Sequence, residues 1–294
     1  MGIILGLLAA LCWGAADFLA RYATQMIGTY RTLFYMQFVG AIALSIYMLS
    51  SGELERLARH TGWQPWLWAI VVALMNAVCA LALYRSFEVG TLSIVSPIAA
   101  SSAAITVVLS VLSGETISGA RAFGIGAVLV GVVLAATHFS SVEGSVTPGK
   151  TTRKGILPRG VGWALFASAG YGINIWLLGF FVTPALGGSA PIWIIRLGTV
   201  AALPLLAAPA RQSIRLPRGR VWWLILIVGA LDTTAYLLAN FGFMTDQVSV
   251  VSVLISLFSA VTVLLAWIFL REKLQWSQWL GIALIFTGIA LVKM

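Results

Sequence analysis

Charge is scarce in this chain. Only 9% of its 294 residues are Asp, Glu, Lys or Arg, and 60% are hydrophobic, against about 25% charged residues in ordinary soluble domains. So little charge excludes a water-soluble globular domain: one aqueous core cannot hide that many apolar residues, and the bilayer must solvate the rest. Histidine and cysteine are rarer still, with two of each. Cys12 and Cys79 sit inside apolar runs, where thiols behave as small hydrophobes, so no disulfide framework is available. His60 and His138 fall at loop or helix-end positions without a ligand cluster around them. No metal site and no cofactor is therefore expected. A Walker-type glycine loop is missing too, which removes an ATP-driven engine, and the serines in apolar runs have no recognisable base beside them. An enzyme is not expected. The net charge of +9 does not imply nucleic acid, because the basic residues are scattered between apolar runs instead of forming a stripe with aromatics. The N-terminal MGIILGLLAALCWGAADFLARYA has no basic segment ahead of its apolar run; a retained first span is expected rather than a cleaved signal.

What the chain does have is long apolar runs. About twenty apolar residues cross the hydrocarbon core as a helix, and such runs fall at 2–21, 31–50, 66–87, 91–113, 119–138, 157–182, 189–208, 220–244, 248–270 and 276–293. They are too long and too continuously apolar for barrel strands, which alternate every second residue. The fold class expected is thus all-α integral membrane, with ten transmembrane helices. The hydrophilic stretch 138–160 divides them into an N-terminal five-helix unit, 1–138, a cytoplasmic linker, 139–156, and a C-terminal five-helix unit, 157–294.

The two units resemble each other. A shift of 156 residues lays WLWAIVVALMNAVCALALYRSF from Trp66 over WWLILIVGALDTTAYLLANFGF from Trp222, and a shift one longer aligns Glu115 with Glu272, Gly124 with Gly281 and Gly131 with Gly288. An odd number of helices per unit makes the second enter the membrane from the opposite side, which gives an inverted repeat of the kind secondary transporters use. Basic residues mark the cytoplasmic loops. Thirteen lie in the loops after odd-numbered helices, four on the opposite side, and Arg196 within a span. Both termini are expected on the non-cytoplasmic side of the cell (inner) membrane.

Polar groups at bilayer depth are costly and usually face the bundle interior or a wet cavity. Asp232, Tyr236 and Asn240 recur every fourth residue, forming one face of the eighth helix. Their repeat positions are Asn76, Ala80 and Tyr84 in the third. Ser249, Ser252, Ser256 and Ser259 form a second series, for which close helix packing and cavity lining are equally good accounts. Ser96-Pro97 marks a kink and candidate hinge, since proline leaves a carbonyl unpaired. Val253 matches Pro97 in the second unit, so the hinge is expected in the first alone. Trp13 and Asp17 stand one turn apart on the first helix. For Asp17, pairing with Arg21 near the interface is the simpler reading and a proton-carrying role, shared as a possibility with Asp232, the alternative. Tyr171 and Asn174 share a face of the sixth helix. Arg196 is expected to snorkel to the headgroups rather than act as a ligand.

The unit-ending patterns SGETISGARAFGIGAVLVGVVLA and LREKLQWSQWLGIALIFTGIALV, with Trp13-Gly14 early and Pro97 in the fourth helix, resemble the drug/metabolite transporter superfamily. The likeness is to its ten-helix EamA-type members, and most of all to the bacterial aromatic amino-acid exporter group. The resemblance implies export of small metabolites, often amino acids, by alternating access through a central cavity. Trp13, Asn76, Tyr84, Tyr171, Asn174, Asp232, Tyr236, Asn240, Ser252 and Ser256 are the substrate-binding candidates, and Ser96 and Pro97 the hinge. A proton-coupled multidrug antiporter is the alternative, and a channel or structural membrane protein the third reading. The expected partners are a small-molecule solute and the lipid bilayer, and the expected state is a monomer or homodimer. The orientation is directly testable: alkaline phosphatase fused after Met294 in a bacterial host should be active, and a fusion within 139–156 inactive. The reverse pattern would invert the topology.

Overall fold

A computed structural model describes residues 1–60, 62–136, 159–212, 214–217, 219–270 and 276–292. The expected linker 139–156 lies outside them, as do Glu272 and His138. Every regular element among the described residues is helical: α1 (Gly2–Ile27), α2 (Thr29–Ser51), α3 (Glu53–His60), α4 (Trp63–Val89), α5 (Leu92–Ala100), α6 (Ser102–Leu112), α7 (Gly119–Ala136), α8 (Val161–Leu177), α9 (Thr183–Leu186), α10 (Ala190–Ala207), α11 (Val221–Phe243), α12 (Val248–Ile255), α13 (Phe258–Leu270) and α14 (Trp276–Val292). A five-residue π turn, Leu178–Val182, joins α8 to α9.

Eight helical stretches among the described residues are long and apolar enough to cross a membrane: α1, α2, α4, α10 and α11 singly, and the composites 94–112, 161–186 and 248–269. Each coincides with one of the ten runs expected from sequence. Helices are the solution here because the hydrocarbon core offers no water to unpaired backbone groups. The other two runs correspond to α7 and α14, which pack side by side with Gly288 against the Gly124 carbonyl and Val128. The short α3, in the loop between the second and third runs, was not anticipated.

The fourth and ninth runs are each interrupted, whereas the sequence led us to expect a break in the first unit alone. The break after α5 falls at Ser101, four residues past Pro97, and the break after α12 falls at Ser256 and Leu257, the equivalent place under the 156-residue shift. The second unit breaks without any proline. What the two breaks share is serine: Ser101 Oγ donates to the Ile98 carbonyl at 2.6 Å, and Ser256 Oγ donates to the Val253 carbonyl at 2.6 Å. Such hydroxyls offer the backbone an alternative to its own ladder. Ser96 Oγ, by contrast, is buried with no partner.

Packing runs between the halves of the chain. α1 lies against α11, α12 and α13; α4 against α8 and α10; α2 against α10 and α11; α6 against α8 and α12. Lipid tails are as apolar as leucine, so helix association relies on close van der Waals approach through small residues. Gly229 of α11 illustrates this: a methyl group there would come within 2.8 Å of the Met36 carbonyl on α2. Three apolar clusters fill the interior, and Phe258, the first residue of α13, packs against all three. Gly229→Ala should therefore lower stability by about 1–3 kcal/mol, while Gly126→Ala, with open space around it, should be neutral or stabilising by up to about 1 kcal/mol. Thermal unfolding of the detergent-solubilised variants checks both.

Candidate functional site

The polar stripe on α11 is the centre of a network drawn from five helices. Trp13 Nε1 on α1 donates to Asp232 Oδ1 at 2.9 Å, and Arg196 Nη1 on α10 lies 2.6 Å from Asp232 Oδ2. The same Nη1 donates to Gln37 Oε1 on α2. Tyr236, one turn along α11, donates its hydroxyl to Asn76 Oδ1 on α4 at 2.7 Å, and Asn76 Nδ2 donates to Thr199 Oγ1 on α10 at 3.2 Å. Rings close the arrangement. The Arg196 guanidinium carbon sits 4.8 Å from the Tyr236 ring centroid, within cation–π range. Trp13 meets the same ring edge-on, with centroids 4.8 Å apart.

Arg196 is the principal correction to the sequence reading. It does not snorkel: it is 0% exposed. A charge at bilayer depth either reaches the headgroups or finds a counter-charge, and Asp232 on the neighbouring helix supplies one. The local backbone makes room, since a methyl group on Gly40 would come within 3.1 Å of both Arg196 Cδ and Nε. The signal was present in the sequence, as one arginine and one aspartate each at membrane depth with no opposite charge on its own helix. Gln37 and Thr199 carried no comparable signal.

Beside the network lies a cavity with about 70 Å³ open to the centres of water-sized solutes, room for about five waters at 10–15 Å³ each. Trp13, Asp17, Tyr84, Tyr171, Asp232, Tyr236, Ser252 and Ser256 line it, together with Leu83, Ala99, Ser102, Ile175, Ile255 and Phe258. Eight of the residues singled out from sequence thus share one wall. Three others stand behind it. Asn76 is enclosed in the network, Asn174 donates to the Val72 carbonyl at 2.7 Å, and Asn240 accepts from Thr183 Oγ1 at 2.5 Å while donating to the Gly188 carbonyl at 2.8 Å. Amide groups can satisfy nearby backbone in the membrane; these three brace helices and the turn after α9, although Asn174 Oδ1 is itself buried without a partner. The expected Asp17–Arg21 pair does not form: Asp17 has no protein partner among the described residues and faces the cavity. Ser252 and Ser256 give their protons to backbone carbonyls and present only oxygen lone pairs. No group of three or more His, Cys, Asp or Glu side chains suited to a metal occurs among the described residues.

A model of the EamA-like transporter family matches residues 1–137 and 158–294. The chain belongs to that family. It is therefore a multi-pass membrane protein of a transporter family, and the resemblance read from the unit-ending patterns holds. A relative in Streptantibioticus cattleyicolor, described as a probable terminal-alkyne amino-acid exporter, is 34% identical over 137 residues, spanning 44% of this chain and 43% of that protein. The match thus covers less than half of the exporter's length. An uncharacterised protein of Methanocaldococcus jannaschii is 30% identical over 133 residues, 45% of this chain but 93% of its own. One solved crystal structure shares the fold, with a TM-score of 0.71 over 99% of this chain and 95% of that one at 18% identity.

The network makes an energetic prediction. Asp232→Asn should destabilise the protein by roughly 3–5 kcal/mol, because it strands the Arg196 charge in the interior. Replacing both, as Asp232→Asn with Arg196→Gln, should recover a large part of that loss. A double-mutant cycle on thermal midpoints in detergent measures it; additive single losses would show that the pair is not coupled.

Proposed function

We propose that this transporter exports amino acids, aromatic or otherwise neutral, or similar small metabolites, by alternating access at the cavity beside Asp232. The observation that carries the reading is the composition of that wall. Trp13, Tyr84, Tyr171, Tyr236 and Phe258 offer flat faces to a ring, while Asp17, Ser102 and the hydroxyl of Tyr84 offer polar partners for a solute's charged ends. The relative described as a probable amino-acid exporter supports the solute class.

The transport cycle we propose rests on ten spans arranged as two inverted five-helix repeats, 1–138 and 157–294, with α7 and α14 as the fifth and tenth. The family model matches the chain in two stretches, and the M. jannaschii relative is matched over nearly its whole length by less than half of this chain; both favour a duplicated unit. The matched breaks at Ser101 and Ser256 give each unit a place to bend. Rocking of the halves about the cavity then exposes it to either side. A cavity with room for about five waters must widen to admit an aromatic ring, and that widening is the motion such rocking supplies. Asp232, engaged on both oxygens by Trp13 and Arg196, acts as a fixed element of the wall rather than as a proton carrier.

Proteoliposomes preloaded with labelled phenylalanine or threonine test the proposal. We expect efflux of at least one above protein-free vesicles, cut about tenfold or more by Tyr84→Ala or Tyr171→Ala. If correctly folded protein moves neither amino acid, the solute class is wrong. If a cationic dye moves only under a pH gradient, the multidrug antiporter takes its place.

A further inference from the structure

The two acidic side chains on the cavity wall are not equally partnered. Asp232 and Arg196 face each other at 2.6 Å and offset one another. Asp17, on the cavity wall and 5% exposed, has no cation and no hydrogen-bond donor among the described residues. Across the same space stand Tyr84, 4% exposed with an unpartnered hydroxyl, and Ser102 on α6. Tyr171, Tyr236 and Trp13 complete the surround. A lone carboxylate walled by aromatic faces is suited to one kind of ligand group, an ammonium: the carboxylate supplies charge and acceptors, and the ring quadrupoles attract a cation. Among the described residues, no arginine or lysine lines the cavity to receive an anion. A solute's carboxylate meets neutral donors there: among the described lining residues, the hydroxyls of Tyr84, Tyr171 and Ser102.

We propose that Asp17 is the specificity-determining residue of the transporter, binding the protonated amine of the solute, so that a free amine is required and a carboxylate is dispensable. This rests on the reading of the cavity as the solute site and narrows its ligand to primary amines. Amino acids bind through their ammonium end, amines lacking a carboxylate bind at least as well, and N-acylated or amine-free acids are rejected. Asp232 is unsuited to this role, because its charge is already offset by Arg196 and one of its oxygens accepts from Trp13 Nε1.

The test uses the full chain in lipid nanodiscs and four probes sharing one ring: phenylalanine, phenethylamine, 3-phenylpropanol and 3-phenylpropionate. Binding is read from tryptophan fluorescence, to which Trp13 in the cavity wall contributes. For the unaltered protein we expect phenethylamine to bind at least tenfold more tightly than the alcohol or the acid. Asp17→Asn should abolish that preference while leaving affinity for the neutral alcohol within about threefold, and Asp17→Glu should restore most of it. Equal affinity for amine and alcohol in the unaltered protein overturns the proposal without reference to any variant, as does absence of amine binding or an amine preference that survives Asp17→Asn. Failure of the transport reading looks different: the amine preference and its dependence on Asp17 would stand, while neither phenylalanine nor threonine leaves loaded vesicles.

Discussion

Asp232 and Arg196 face each other at bilayer depth, and the arrangement of the central helices follows from the need to keep them together. Neither charge is tolerable alone in a medium that cannot solvate it. Their helices, α11 and α10, must therefore present these two side chains to each other, and the remaining polar groups nearby must complete the set. Trp13 brings α1 to the carboxylate, Gln37 brings α2 to the guanidinium, and Tyr236 links through Asn76 to α4. Apolar packing between helices in lipid is weakly directional, since one greasy surface suits another. A polar network of this kind supplies register instead, fixing which faces meet and at what depth.

That division of labour explains how the cavity is built. The stripe on α11 supplies both a structural and a lining element: Asp232 and Tyr236 look into the cavity while being held from behind, and Asn240 turns to the α9 end and holds the backbone there. The three asparagines singled out from sequence all serve as braces. An amide carries donors and an acceptor on one rigid plane, which suits joining two helices. In the proposed cycle, a solute that must leave again is better met by the single hydroxyls of Tyr84 and Ser102 and the open carboxylate of Asp17.

The spans were legible in the sequence because their physics is local: a helix across a membrane needs a run of apolar residues and little else, and eight of the expected runs appear as helices long enough to cross. The stripe of Asp232 and Tyr236 was legible for a similar reason, as a four-residue period within an apolar run. Partners across helices were not. Arg196 was read against its own helix, where the outer headgroups were the only visible destination, whereas the charge that holds it lies on the next helix. Asp17 was assigned to Arg21 by the same reasoning in reverse, with proximity along one helix standing in for proximity in space. Pro97 marked the break in the first unit, whereas the matching break in the second, at Ser256 and Leu257, has no proline to mark it.

Phe258 begins α13 directly after the break at Ser256 and Leu257, forms part of the cavity wall, and packs against all three apolar clusters. Its ring is thus a shared bearing between the three clusters. A change of volume in one cluster beside the cavity meets this ring, and through it the other two. The interior accordingly behaves as a geared assembly, in which the volume open to a solute and the fit of the whole bundle are set by the same side chain.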